Sequence, residues 1–202
     1  RYLQMCAQDN MLVAQPSTPA SYFHLLREHT YTRPRRPLIV FTPKQLLRLK
    51  AACSPVEAFT SGTFQPVIGE TDDAVLASAQ KQGVDRVLLC SGRVYYDLLA
   101  HRTKTGDTST AIVRLEQLYP LESSAIAEAL APFSGAELVW VQDEPANQGM
   151  WPYLALNLPT DLTGGVLPTL VSRPEAAAPA VGTAGFHRAQ QEEILRQAFA
   201  RD

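Results

Sequence analysis

The chain has 202 residues, 46% hydrophobic and 19% charged, which is enough for one large or two small domains with a buried core. Its formal net charge of -2 excludes the strong positive field that draws proteins to nucleic acids or anionic membranes. No apolar run approaches the roughly 20 residues of a membrane span. The three cysteines, Cys6, Cys53 and Cys90, form neither a CxxC pair nor a disulfide framework, so we expect a cytoplasmic, reducing setting.

The first residues, Arg1–Cys6, lack an initiator Met and read as the middle of a helix, so we expect a fragment of a longer protein. Met11–Pro16 is a short apolar run closed by proline, and it predicts a strand. Ser17 or Thr18 then caps a predicted helix that begins near Pro19, a residue favoured in a first helical turn. After a basic loop, Leu38–Phe41 predicts a buried strand. A strand, a helix and a second strand in this order indicate a crossover within a parallel sheet.

A turn-rich stretch from Ala51 to Gly69 predicts a domain boundary, which divides the chain into residues 1–60 and residues 61–202. The second part alternates buried strands with helices. Its predicted strands are Val84–Cys90, Ala111–Leu115 and Glu137–Val141. This alternation indicates an open α/β sheet with helices on both faces. A proline- and alanine-rich loop then leads to a terminal amphipathic helix at His187–Phe199.

Basic residues are densest in the first part of the chain. Arg33, Arg35 and Arg36 share one loop, and Lys44 lies just past the following strand. Guanidinium groups suit phosphate oxygens, so the loop is a candidate phosphate site. A solvated loop or a domain interface is the alternative, and from the residues alone we prefer it.

Two further features lie where α/β folds build sites. Ser91 and Arg93 flank a glycine at a strand-to-helix turn, and the N–H groups of a helix start favour anions. Such turns are common in any α/β fold. Asp143 and Glu144 follow a predicted strand at its carboxyl end. We prefer a strand-end cap or an ion pair for these carboxylates over a catalytic pair.

Three strings are similar to the thiamine-diphosphate-dependent 2-oxoglutarate dehydrogenases. Residues 9–27, from Asp9-Asn10-Met11 through Gln15–Arg27, and the string Arg35–Lys44 resemble the end of the family's pyrimidine-binding domain. Gln142–Trp151 resembles the most recognisable string of its last domain. The match covers nearly the whole chain in order. It resembles most the actinobacterial multifunctional branch, in which the dehydrogenase is often fused behind an acyltransferase domain.

The resemblance implies a transketolase-like architecture: the end of a pyrimidine-binding parallel-sheet domain at residues 1–60, then a mixed-sheet C-terminal domain at residues 61–202. It also implies an enzyme that decarboxylates 2-oxoglutarate and transfers a succinyl group to a lipoyl arm, with thiamine diphosphate and magnesium as cofactors. The family's Gly-Asp-Gly motif is absent from this sequence, and its activating glutamate and substrate-binding histidines lie upstream. No catalytic, cofactor-binding or metal residue is therefore carried over, and we expect the isolated chain to be inactive. The implied partners are the rest of the polypeptide, a homodimer mate and the lipoyl-bearing acyltransferase. We expect no nucleic acid and no membrane.

The actinobacterial branch further implies allosteric activation by acetyl-CoA near the junction with the last domain. The candidate contacts in this chain are Arg27, Arg35, Arg36, Lys44, Ser91 and Arg93. The sequence departs from the pattern at Glu28, where related sequences tend to carry a second arginine.

Two alternatives remain open at this point. One is the matching region of a transketolase or of a branched-chain 2-oxoacid dehydrogenase, against which the string Pro145–Trp151 argues. The other is a free-standing domain that acts only in protein–protein contacts.

For a homodimer, we expect exposed apolar surface around Trp140 and Trp151.

Overall fold

A computed structural model describes residues 1–201, which fold into two sheets surrounded by helices. In chain order, the strands are β1 (Leu12–Ala14), β2 (Leu38–Val40), β3 (Val67–Ile68), β4 (Arg86–Cys90), β5 (Thr110–Leu115), β6 (Gln117–Tyr119), β7 (Glu137–Pro145) and β8 (Thr169–Arg173). The α-helices are α1 (Pro19–Tyr31), α2 (Glu57–Thr60), α3 (Asp73–Ala79), α4 (Val94–Thr105), α5 (Ser123–Leu130), α6 (Trp151–Asn157) and α7 (Ala184–Ala198). Short 3-10 helices occupy Leu3–Met5, Lys44–Arg48, Lys50–Ala52, Ala131–Phe133 and Thr160–Thr163.

The first sheet has the strand order β2-β1-β6. β1 and β2 are parallel, with Leu12 opposite Leu38, and α1 makes the crossover between them. Thr18 caps α1, because its hydroxyl accepts a hydrogen bond from the N–H of Ser21 at 3.1 Å, and Pro19 opens the first turn. The strand–helix–strand unit predicted from the sequence is therefore confirmed, but β2 is half-buried and not buried as predicted.

The second sheet has the order β3-β5-β4-β7-β8. β5, β4, β7 and β8 run parallel, and β3 is antiparallel to β5, so the sheet is mixed. Every residue of β4 and β5 is buried. Strands that are buried along their whole length are typical of a parallel sheet that helices cover on both faces. The predicted α/β class with a mixed C-terminal sheet is confirmed.

Two apolar clusters lie on the two faces of the second sheet. Val87 and Leu89 of β4 point into one cluster, which also contains Trp140. Leu88 and Cys90 point into the other, beneath α4 and α7. Successive side chains on a strand face opposite sides, so one buried strand contributes to both clusters.

The junction between the two parts is closed by backbone pairing. β6, from the second part, adds antiparallel to β1, with Val13 opposite Tyr119. The boundary at residue 60 stays a prediction, and the first sheet takes its third strand from beyond it. Within residues 1–201, no helix is both long and apolar enough to cross a membrane.

Candidate binding cleft at the junction of the two sheets

The carboxyl ends of the parallel strands of both sheets meet at one cleft. Gln15 follows β1, Thr42 follows β2, Ser91 follows β4, and Glu144 lies near the end of β7. These four residues line a cavity of about 510 Å³. Because open α/β sheets bind ligands outside the carboxyl ends of their strands, this cleft is the candidate binding site.

Ser91 and Gln15 join the two sheets within the cleft. The Ser91 hydroxyl donates a hydrogen bond to Oε1 of Gln15 at 3.0 Å. Gly92 has a φ of 66°, and a Cβ atom there would lie 2.5 Å from the Gln15 side chain. Glycine at position 92 therefore allows both the turn and the close approach of Gln15.

Arg93 lies at the cleft but is already paired with carboxylates. Its guanidinium contacts Asp143 at 2.8 Å and Asp97 at 2.7 Å. The Gln191 side chain donates to both carboxylates, at 3.0 Å and 2.9 Å. Burial raises the pKa of Asp97, and the Arg93 charge opposes that rise. The preferred interpretation of Asp143 as part of an ion pair agrees with this geometry.

Glu144 is the carboxylate of the cleft that has no ion pair among residues 1–201. It also lines a second cavity of about 540 Å³, which shares Gln15 and Phe41 with the first. Burial raises the pKa of Glu144, and the neighbouring charge of Asp143 raises it further. Both carboxylates lie within β7, which continues to Pro145, and not beyond the strand as the sequence indicated.

The loop after Glu144 is organised by Gln142. Its side-chain oxygen accepts from the Trp140 indole at 2.9 Å and from the backbone N–H of Trp151 at 3.0 Å. Its amide donates to the carbonyl oxygen of Gln148 at 2.8 Å. The string Gln142–Trp151 is therefore held together around one buried amide, and it lines the cleft with Asp143 and Glu144 and the second cavity with residues 147–150.

The basic loop lies at the opposite end of the first sheet. Arg35 is exposed, and Arg36 makes one surface contact, 3.8 Å from Asp9, of the kind that contributes little to stability. Arg33 donates instead to the carbonyl oxygens of Thr30 and Thr32 at the end of α1, at 3.1 and 2.9 Å.

The six residues predicted for acetyl-CoA therefore separate into two groups. Arg27, Arg35 and Arg36 lie toward the amino end of β2, whereas Lys44, Ser91 and Arg93 lie toward its carboxyl end. Arg36 and Thr42 are joined by extended chain of roughly 20 Å, at about 3.3 Å per residue. Burial raises the pKa of Glu28 on α1, and the charge of Glu122 raises it further.

Sequence analysis missed a buried polar group between the sheets, formed by Ser17, Tyr96, Arg114 and Glu116. Arg114 and Glu116 lie in or next to an apolar run, Ala111–Leu115. Charged residues are rarely buried without partners, so their position in that run was the available signal.

Among residues 1–201 no group of three or more histidine, cysteine, aspartate or glutamate side chains is placed to hold a metal ion. The cleft contains a carboxylate, an amide and hydroxyl groups, and these groups can bind and orient a polar ligand.

Comparison with known proteins identifies the family. Residues 53–199 match the model of the 2-oxoglutarate dehydrogenase C-terminal family. The chain is 44% identical over its whole length to the 2-oxoglutarate dehydrogenase E1 component of Cupriavidus necator, of which it covers 21%. It is 45% identical to the 2-oxoglutarate dehydrogenase E1/E2 component of Corynebacterium glutamicum over 98% of the chain. It is also 45% identical, over 99% of the chain, to the multifunctional 2-oxoglutarate metabolism enzyme of Mycobacterium sp. strain JLS.

The chain covers 16% of each of the latter two relatives, so it spans about a fifth or less of the curated relatives it matches. The resemblance stated from the sequence is confirmed, including its likeness to the mycobacterial multifunctional type. The chain belongs to the 2-oxoglutarate dehydrogenase family, as the C-terminal region of the E1 component.

Proposed function

We propose that the whole protein decarboxylates 2-oxoglutarate and transfers the resulting succinyl group to a lipoyl arm, and that this chain completes its fold. The observation that carries the proposal is the alignment over 98–100% of the chain with proteins named as 2-oxoglutarate dehydrogenase components. Thiamine diphosphate and magnesium are the proposed cofactors, held by residues outside this chain. The proposed setting is the cytoplasm, with the lipoyl-bearing acyltransferase as partner.

The activity is tested by comparing the full-length protein with the isolated chain. We expect the full-length protein to release CO₂ from 2-oxoglutarate when thiamine diphosphate and Mg²⁺ are present. We expect the isolated chain neither to release CO₂ nor to bind thiamine diphosphate in titration calorimetry. Micromolar binding of thiamine diphosphate by the isolated chain would contradict the proposal that residues outside this chain hold the cofactor.

We also propose that the protein forms a homodimer, and that the outer face of α1 is covered in the assembled protein. Trp140 is 1% exposed and Trp151 is half-buried, so neither indole ring forms the exposed apolar surface that we expected, although Leu156 of α6 is 85% exposed. Tyr22, Phe23 and Leu26 of α1 are 38–46% exposed instead. An apolar helix face of this kind is typical of a contact surface, either with the rest of the polypeptide or with the dimer mate.

A regulatory site for acetyl-CoA is a further part of the proposal. Arg35 has no ion pair among residues 1–201, and the Arg36 contact with Asp9 is long, so both guanidinium groups are available to phosphates. Arg93 is less available, because Asp97 and Asp143 neutralise it. We therefore assign the phosphates to the arginine loop with Arg27. Lys44, Ser91 and Arg93 would contact the remainder of an effector that extends along β2.

Replacing Arg36 tests this site. In the full-length enzyme, Arg36→Ala should raise the acetyl-CoA concentration for half-activation by roughly tenfold, the equivalent of one charge-assisted hydrogen bond. Basal turnover should change little. Arg33→Ala is the matched control, because the Arg33 guanidinium is engaged with helix carbonyls. If the Arg36→Ala enzyme is half-activated at the wild-type concentration of acetyl-CoA, the proposal that this loop binds the effector is wrong.

A further inference from the structure

Each polar group of Ser17 forms a hydrogen bond with a side chain from residues 61–202. Its N–H donates to Oε2 of Glu116 at 2.7 Å, and its carbonyl oxygen accepts from the Tyr96 hydroxyl at 2.7 Å. Its own hydroxyl accepts from Nη1 of Arg114 at 3.0 Å. Ser17 is 0% exposed, so these side chains replace water at each group.

Glu116 extends the same contact on both sides of Ser17. Its carboxylate also accepts from the Ser21 hydroxyl in the first turn of α1, at 2.7 Å. Its backbone carbonyl accepts from the N–H of Gln15 at 2.8 Å. Glu116 therefore binds three residues of the segment that follows β1, namely Gln15, Ser17 and Ser21. We call this segment the Gln15–Ser21 turn.

Arg114 is held in place from the other side. Its guanidinium lies 4.0 Å from the centre of the Tyr95 ring, within the range of a cation–π contact. Nε of Arg114 and Oε1 of Glu116 are buried and have no hydrogen-bond partner. Such atoms cost stability, so a network of this kind is not explained by stability alone.

The Gln15–Ser21 turn leaves the carboxyl end of β1 and forms walls of three cavities. Gln15 lines the cleft of about 510 Å³ and the second cavity of about 540 Å³, and Pro16, Ser17 and Pro19 line a mainly apolar pocket of about 370 Å³. A shift of this turn changes the shape of all three. The carboxyl edge of a parallel sheet is where α/β proteins bind ligands, so the position of the turn matters for binding.

We propose that Tyr96, Arg114 and Glu116 are positioning residues that hold the Gln15–Ser21 turn in its binding-competent conformation in the full-length enzyme. This inference rests on the proposed function, because the ligand is the effector proposed for the cleft. The three side chains act through Ser17 and contact no ligand themselves. When their hold on Ser17 is loosened, a fraction of the molecules has a displaced turn, and the apparent affinity for a ligand of the cleft falls by that fraction while the enzyme still turns over.

Tyr96→Phe is the direct test, because it removes one hydroxyl and keeps the ring. Tyr119→Phe is the matched control. Both tyrosines are 7% exposed, and the Tyr119 hydroxyl also binds backbone of the first part, accepting from the N–H of Asp9 at 2.8 Å. Asp9 precedes β1, so the control loosens the opposite end of the strand. Ser17→Ala, which removes the acceptor of Arg114, serves as a second test variant.

Two measurements are made on the full-length protein below its melting temperature. Amide hydrogen exchange of residues 15–21 should become roughly fivefold faster in Tyr96→Phe, the factor that one neutral hydrogen bond supplies, and stay at the wild-type rate in Tyr119→Phe. The acetyl-CoA concentration for half-activation should rise by a similar factor in Tyr96→Phe and Ser17→Ala, with kcat within twofold of wild type. A purely structural role would lower the yield of active enzyme, and so the apparent kcat, at an unchanged half-activating concentration.

An unchanged rate of amide hydrogen exchange in residues 15–21 of Tyr96→Phe would show that Tyr96 does not hold the turn. Faster exchange with an unchanged half-activating concentration of acetyl-CoA would overturn the positioning role. A wild-type protein that acetyl-CoA does not activate would instead refute the proposed effector site, and the exchange comparison would still decide whether these side chains hold the turn.

Discussion

Arg102 of α4 and Glu70 form an ion pair in which both side chains are almost completely buried, 3% and 2% exposed. Glu70 also accepts a hydrogen bond from the N–H of Ile112 at 2.8 Å, so the pair fastens the segment before α3 to the second sheet. We predict that Arg102→Met lowers the free energy of unfolding by about 3–5 kcal/mol, because it leaves a buried carboxylate without its partner. Urea denaturation measures the loss. Arg196→Met removes an exposed pair with Glu193 and should leave the denaturation midpoint nearly unchanged.

Glu116 gives a prediction for pH. Burial raises its pKa above the ordinary value of 4.5, and the hydrogen bonds from Ser17 and Ser21 oppose part of that rise. A carboxyl group whose pKa is raised on folding holds its proton more tightly in the folded state, so stability falls as pH rises from 4.5 through the raised pKa. The stability of the wild type relative to Glu116→Gln should therefore increase as the pH is lowered from neutral toward that value. Urea denaturation across this range measures it, with Glu128→Gln as the exposed control. A difference that does not vary with pH would contradict the assignment.

The candidate site was only partly predictable at the residue scale. Ser91, Arg93, Asp143 and Glu144 were identified because strand ends mark sites in α/β folds. Their partners were not, since the contacts of Gln15 with Ser91 and of Ser17 with Glu116 join residues 76 and 99 positions apart. Local sequence carries no signal for such pairs. The sequence predicted the basic residues as one group. They divide between the two ends of β2 because the extended strand separates the arginine loop from Lys44.

Among the elements, α7 depends most on docking against the second sheet. Arg86 of β4 donates to the carbonyl oxygen of Ala198 at the end of the helix, at 3.1 Å, and pairs with Glu137 at 2.6 Å. Ile194 is 1% exposed and packs in the cluster beneath α4 and α7. We predict that Ile194→Ala costs about 2–5 kcal/mol of unfolding free energy, by loss of contacts and by the cavity it leaves.

The control for α7 is Leu156→Ala, in α6, where the side chain is 85% exposed. It should change the unfolding free energy by less than about 0.5 kcal/mol. Equal effects of the two substitutions in urea denaturation would show that α7 does not dock as described.

Long, apolar elements were predicted well and short ones were not. β4, β5 and β7 were confirmed because continuous buried runs mark central strands of a parallel sheet. β3, with two residues, and β6, with three, were missed, since their pairing with distant strands and not their composition makes them strands. The weak apolar periodicity of residues 72–82 fits either a helix or a loop, and the capping of α3 by Asp72, which accepts from the N–H of Ala74 at 2.9 Å, decides for the helix.

For the whole molecule, we propose that the full-length protein that contains this chain acts on 2-oxoglutarate. Sequence identity of 42–45% over 98–100% of the chain with 2-oxoglutarate dehydrogenase components supports 2-oxoglutarate as the substrate. The sequence alone leaves other 2-oxoacids open as an alternative.

The most direct measurement compares kcat/KM of the full-length protein for 2-oxoglutarate, pyruvate and a branched-chain 2-oxoacid, in the presence of thiamine diphosphate and Mg²⁺. A site built to bind the second carboxylate of 2-oxoglutarate rejects substrates that lack it, because its buried polar groups are then left unpaired. We predict a preference for 2-oxoglutarate of at least roughly a hundredfold. Equal or greater kcat/KM for pyruvate or the branched-chain acid would contradict the account.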